Sequence, residues 1–140
     1  MTLGHVSRGL LGRLEAEDWE FIRGFDKTGN PIGRGRHKNA LYVFRSPGIT
    51  SMTGLHYLRG LDLHVMPQWH YPHVDEPKRR WKISRWQLYS APAPWGPWTL
   101  FYTQDFEPQS LNKPSIPSKF ISEDGRQFWI FVAGNFTEHE

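Results

Sequence analysis

No cysteine occurs in the 140 residues. That excludes a disulfide framework, thiolate chemistry and any zinc site built on sulfur. No apolar run approaches the roughly eighteen residues a membrane-spanning helix needs, so no membrane partner is expected. Met1 to Leu14 carries short apolar pieces broken by His5, Arg8 and Arg13 and lacks the continuous apolar core of a secretory signal. A signal for export would have to lie outside this sequence, and the compartment stays open. Charge of one sign is also scarce. Seventeen Lys and Arg against fourteen Asp and Glu give a net +3 and a pI near 9.3. That permits an anionic partner but is too evenly interleaved for a nucleic-acid surface, and no such partner is expected. The basic clusters Gly33-Arg-Gly-Arg-His-Lys38 and Lys78-Arg-Arg80 read as solvated loops.

Aromatics and chain breakers are abundant instead. Aromatic residues make up 15%, with seven tryptophans, beside thirteen glycines and eleven prolines. Few windows lack a breaker, which favours short strands and tight turns over long helices. The one helix candidate is Ser7 to Asp18, with Leu10, Leu11 and Leu14 at helical spacing. The length is enough for one domain with a real core.

Strands are expected at Trp19–Phe25, Ala40–Phe44, Ile49–Met52, Leu55–Val65, Trp81–Tyr89 and Trp98–Thr103. Asp26 to Pro31 is turn chemistry, and Gly60 suggests a bulge. Pro67 to Arg80 reads as a long loop holding Trp69, His70, Tyr71 and His73. Glu107 to Pro114 reads as a polar connector. Ser118–Ile121 and Gln127–Val132 are expected to pair as a hairpin across Ser122-Glu-Asp-Gly-Arg126.

The chain centres on Ser90-Ala-Pro-Ala-Pro-Trp-Gly-Pro-Trp-Thr99. Three prolines bar this stretch from a paired strand or a helix, while the flanking runs alternate, so strand, rigid turn, strand is expected. This stretch resembles the Gly-Pro-Trp turn between outer strands of five-bladed β-propellers of the glycosidase-like type. In an uncharacterised branch of those propellers a similar turn precedes a Pro-Ser/Thr-Lys-Phe/Trp strand. Here that second piece reads Ile116-Pro-Ser-Lys-Phe-Ile-Ser-Glu-Asp-Gly125. The resemblance covers about Val43 to Phe136 and implies an all-β, antiparallel fold of four-stranded blades. Residues 49–106 would form one complete blade and 115–136 the inner hairpin of the next, after a lead-in at 1–18. A weak echo between 49–58 and 117–130 fits a repeat. The whole would be a partial β-propeller of roughly two to two and a half blades, short of the four to eight that close a ring. Open blade faces invite self-association.

Such propellers carry catalytic carboxylates on inner strands, and glycoside hydrolysis needs two of them. Neither Ile49–Met52 nor Ser118–Ile121 contains one, while Asp62, Asp75, Asp105 and Glu107 fall on outer strands or loops. Catalysis is therefore not expected from this chain alone, and no cofactor is implied. Arg45, Thr50, Ser51, Ser118 and Lys119 would face the funnel, where hydroxyls and cations suit sugar hydroxyls, a uronate or a sulfate. Trp69 offers a stacking face, with His70 beside it. The alternatives are that these residues only satisfy local backbone, and that Trp69 only pins its loop. His64, His70, His73 and Asp75 match no metal-ligand spacing, so no metal is expected. Ser122 to Arg126 resembles the acidic β-turn of sialidase-like propellers, which implies that Asp124 bonds the turn's backbone and Trp129 packs beneath. Asn135-Phe-Thr137 is a glycosylation sequon in a secretory context. The expected function is saccharide binding by a propeller segment. The alternatives are a structural or assembly piece and a hydrolase completed elsewhere.

Overall fold

This computed structural model describes residues 4–5, 20–33, 39–44, 50–52, 54–71, 83–106 and 112–134. They are all-β, and every strand pairing is antiparallel. The chain divides into two compact units, Met1–Arg45 and Ser46–Glu140. The expected helix Ser7 to Asp18 lies outside the described residues.

In the first unit, β1 (Gly4–His5) pairs with β2 (Glu20–Phe21), and β3 (Gly24–Phe25) pairs with β4 (Pro31–Ile32). The strand expected across Trp19–Phe25 is thus two short ones. The β3–β4 turn is built by Asp26. Its Oδ1 accepts from the Thr28 N–H at 2.8 Å, the Thr28 hydroxyl at 2.6 Å and the Asn30 N–H at 2.9 Å. Gly29 takes a φ of 84°, which suits glycine. Ala40–Phe44 joins no strand, although Leu41 N–H reaches the Ile22 carbonyl at 2.7 Å. Its β-forming side chains find no ladder to enter, and composition alone does not supply one.

The second unit holds the main sheet. Its strands are β5 (Thr50–Met52), β6 (His56–Leu58), β7 (Leu63–His70), β8 (Ser84–Ala91) and β9 (Thr99–Phe106). Order across the sheet is β5-β7-β8-β9, and β6 also pairs with β7. Met52 opposes Gln68 and His56 opposes Val65, so four steps on one chain match three on β7. β5 and β6 are therefore one edge strand interrupted by an extra residue near Gly54, whose φ is 133°. Pro67 lies at the level of that interruption and is fully buried in β7. The strand expected at Leu55–Val65, followed by a loop from Pro67, differs from this, since β7 runs through Pro67 to His70. The broken neighbouring strand is where a missing donor is tolerated, so Pro67–His70 belong to β7 and not to a loop.

Gly60 marks no bulge. It is the middle of a 3-10 turn, Arg59–Leu61, that joins β6 to β7 and ends on Asp62 in the left-handed region at φ 52°. A Cβ at Gly60 would run into the Asp124 backbone and the Glu123 carbonyl, so the glycine lets two turns touch. β8 and β9 flank the proline-rich turn as antiparallel neighbours, with Phe101 as an extra residue between the Leu88–Tyr102 and Tyr89–Leu100 pairs. Within the turn, Gly96 has φ 104°, and its N–H donates to the Ala93 carbonyl at 2.9 Å.

β10 (Asn112–Ser115) pairs with β11 (Phe131–Ala133), so the end of the expected polar connector is a strand. Ser118–Phe120 is a 3-10 turn rather than a strand. Of the expected hairpin only its tip remains, with an Ile121–Phe128 bridge and a Trp129 N–H bond to the Phe120 carbonyl at 3.1 Å. The core is Leu58, Val65, Leu88 and Ile116, packed over by Ile121, Phe128 and Ile130. Val65 and Leu88 reach it from one face of the sheet because side chains alternate along each strand. Among the described residues the sheets do not close on themselves.

Candidate functional site

The hairpin tip carries the site, and its turn is self-supporting. Ser122 Oγ donates to Asp124 Oδ1 at 2.6 Å, and the Arg126 N–H donates to the same oxygen at 3.0 Å. The Gln127 N–H donates to Ser122 Oγ at 3.0 Å. These bonds, led by the Ser122 hydroxyl, hold the Asp124 carboxyl below its ordinary pKa. Oδ1 of the carboxylate is therefore engaged inside the turn. On its far side the turn packs on the Arg59–Leu61 turn, where Gly125 (φ 70°) lies close to Leu61.

On the near side is an open groove of about 550 Å³, lined by Lys119, Phe120, Ile121, Ser122, Gln127, Phe128 and Trp129. Alternation along the hairpin sorts its aromatics. Ile121 and Phe128 form the bridge and pack on the core. Phe120 and Trp129, the next pair outward, face the solvent. Trp129 is 72% exposed, which corrects the expectation that it packs beneath the turn. Phe128 takes that inner place, because the bridge pairs it with Ile121 over the core. Phe120 stacks on Phe131 with ring centroids 5.1 Å apart and planes 27° apart. Lys119 Nζ sits 4.8 Å from the centre of the Phe120 ring, close enough for a cation–π contact. The result is a fixed aromatic floor with one cation at its border.

The expected ligand set is divided by the sheet. Thr50 opposes His70 and Ser51 opposes Trp69 in the β5–β7 ladder. Trp69 and His70 are neighbours in one strand and so point to opposite faces. Trp69 is half-buried, edge-on to Tyr71 at 5.4 Å. His70 is buried and shares a row with Arg85 and Asp105, its partners across β8 and β9. Arg85 holds Asp105 through two bonds, Nε to Oδ1 at 2.6 Å and a terminal nitrogen to Oδ2 at 2.7 Å. That pairing lowers the Asp105 pKa. Burial, helped by Arg85, lowers that of His70. Ser118 and Lys119 lie together on the exposed 3-10 turn, and only Lys119 of the expected set lines the groove. Arg45 lies outside the described residues, as do His73, Asp75 and both basic clusters apart from Gly33.

Among the described residues no group of three or more His, Asp or Glu could hold a metal. No helix there is long and apolar enough to cross a membrane. Sequence reasoning missed Trp129 as a solvent-facing platform. The usable signal was the two-residue alternation from Phe128, which puts one aromatic in and the next one out. Comparison with protein-family models, curated proteins and solved structures finds no match for this chain.

Proposed function

We propose that the second unit is a saccharide-binding module, a segment of partial β-propeller whose sugar site is the groove at the Ser118–Trp129 hairpin. The exposed indole of Trp129 beside Phe120 carries this reading. Exposed aromatic residues that line one groove together form an apolar patch of the kind that marks a binding surface. Pyranose C–H groups stack on an aromatic face while the hydroxyls meet nearby polar groups. Here those groups are Lys119 and Gln127. The propeller reading is supported by the antiparallel, blade-like order of the main sheet between Thr50 and Phe106.

Titration of a panel of soluble oligosaccharides, followed by tryptophan fluorescence, tests the proposal. Binding by at least one pyranose oligomer, lost in Trp129→Ala, is expected. Silence across the panel, or binding that survives that substitution, contradicts it.

A second reading, association of copies, is favoured by β9. Among the described residues β9 pairs only with β8. Leu100, Phe101 and Tyr102 are exposed along it, and its sequence has neither proline nor a basic residue. The Phe101 bulge and Asp105 blunt this edge only in part, and an edge with exposed apolar side chains accepts another strand.

A further inference from the structure

The groove's charge says which saccharides it prefers. We infer that it takes a sugar bearing an anionic substituent, a carboxylate or a sulfate ester, with Lys119 as the residue that selects it. This rests on the saccharide reading of the same groove. Of the seven lining side chains, Lys119 alone carries a formal charge. The two acids of the adjoining turn, Glu123 and Asp124, do not line the groove. No carboxylate of the lining therefore offsets the ammonium.

Lys119 is also held in place. Its Nζ lies 4.8 Å from the Phe120 ring centre, and Phe120 is fixed from below by Phe131. The Trp129 N–H bond to the Phe120 carbonyl pairs the two residues, and both line the groove. A pyranose lying on Trp129 brings its ring substituents toward this border. An ammonium whose contact is one aromatic face keeps donors for a charged acceptor, and such bonds are stronger than neutral ones. A neutral sugar would leave the cation no charged partner.

The test compares oligogalacturonate with its methyl ester, which has the same rings without the charge. A sulfated galactan oligomer and inorganic sulfate complete the set. The free acid or the sulfated oligomer is expected to bind about tenfold more tightly than the ester, the scale of one charge-assisted bond. Lys119→Gln should erase that difference by weakening the acid and the sulfated oligomer more than the ester. Trp129→Ala should weaken all oligomers. Which oligomer gains identifies the anion. Equal binding of acid, sulfate and ester, unmoved by Lys119→Gln, overturns the inference while leaving the saccharide reading standing. Binding of inorganic sulfate as tight as that of the oligomers also overturns it, because Lys119 would then be a bare anion site. Absence of binding by these oligomers while another saccharide of the panel binds overturns the inference alone, and silence across the whole panel ends both.

Discussion

Gly60 and His56 show how single residues carry this fold. A methyl group at Gly60 would meet backbone, which cannot swing aside as a side chain can. Gly60→Ala should therefore cost about 1–3 kcal/mol, the usual range for overpacking, read as a lower melting temperature. His56 Nε2 accepts the Ile116 N–H at 3.4 Å, so the ring is neutral, and burial pushes its pKa below the usual value. Burial acts the same way on His64 and, with Arg85, on His70. As pH falls through about 6.5 the unfolded chain gains protons before the folded one does. Stability is thus fully present above that value and is lost on the way down to the folded pKa values. Melting temperature should fall between pH 7.5 and 5.5, and His56→Gln, which keeps an acceptor without titrating, should flatten the slope. A melting temperature that does not move with pH contradicts the buried neutral rings. Neither role could be read in the sequence. Glycine advertises freedom but not which distant backbone approaches it, and a histidine on a strand does not announce a partner sixty residues away.

Among the elements, the β8–β9 pair was legible because prolines and tryptophans leave few options between two alternating runs. β10 was hidden because Asn112-Lys-Pro-Ser115 is polar and broken by proline, yet Pro114 is fully buried. Hydrophobic pattern alone cannot find a strand whose inward residue is proline. The 3-10 turn at Ser118–Phe120 was missed because Pro117-Ser-Lys-Phe120 resembles a strand of glycosidase-like propellers, although Ser118-Lys-Phe-Ile121 does not alternate. Ile116 ties this region to the main sheet. It is 0% exposed and in the same cluster as Leu58, Val65 and Leu88. Ile116→Ala should cost about 2–5 kcal/mol by chemical denaturation. Loss of less than about 0.5 kcal/mol, the range of surface changes, would show that β10 and β11 do not share the core.

At the scale of the molecule, the described residues are all-β and fall in two compact units, and the proposed sugar groove and the β9 edge, which among the described residues pairs only with β8, lie on different elements. Light scattering from dilute to concentrated samples should show mass rising with concentration if β9 accepts a second copy. Tyr102→Lys should suppress the rise, because a charge on an edge strand blocks pairing. A constant monomer mass removes the association reading and leaves the groove unaffected. The antiparallel all-β class was readable from breakers and aromatics. The site was readable only in part, because alternation puts Phe128 and Trp129 on opposite sides but does not say which of them faces water, and that is fixed by the Ile121–Phe128 bridge.

The claim that sugar binds at the hairpin groove is tested most directly by mapping amide and indole shifts in isotope-labelled protein during titration with oligogalacturonate. The largest shifts should fall on Lys119, Phe120, Gln127 and the Trp129 indole, with β9 unmoved. Shifts concentrated on Trp69 and His70, or none with oligogalacturonate or any other oligosaccharide of the panel, would contradict it.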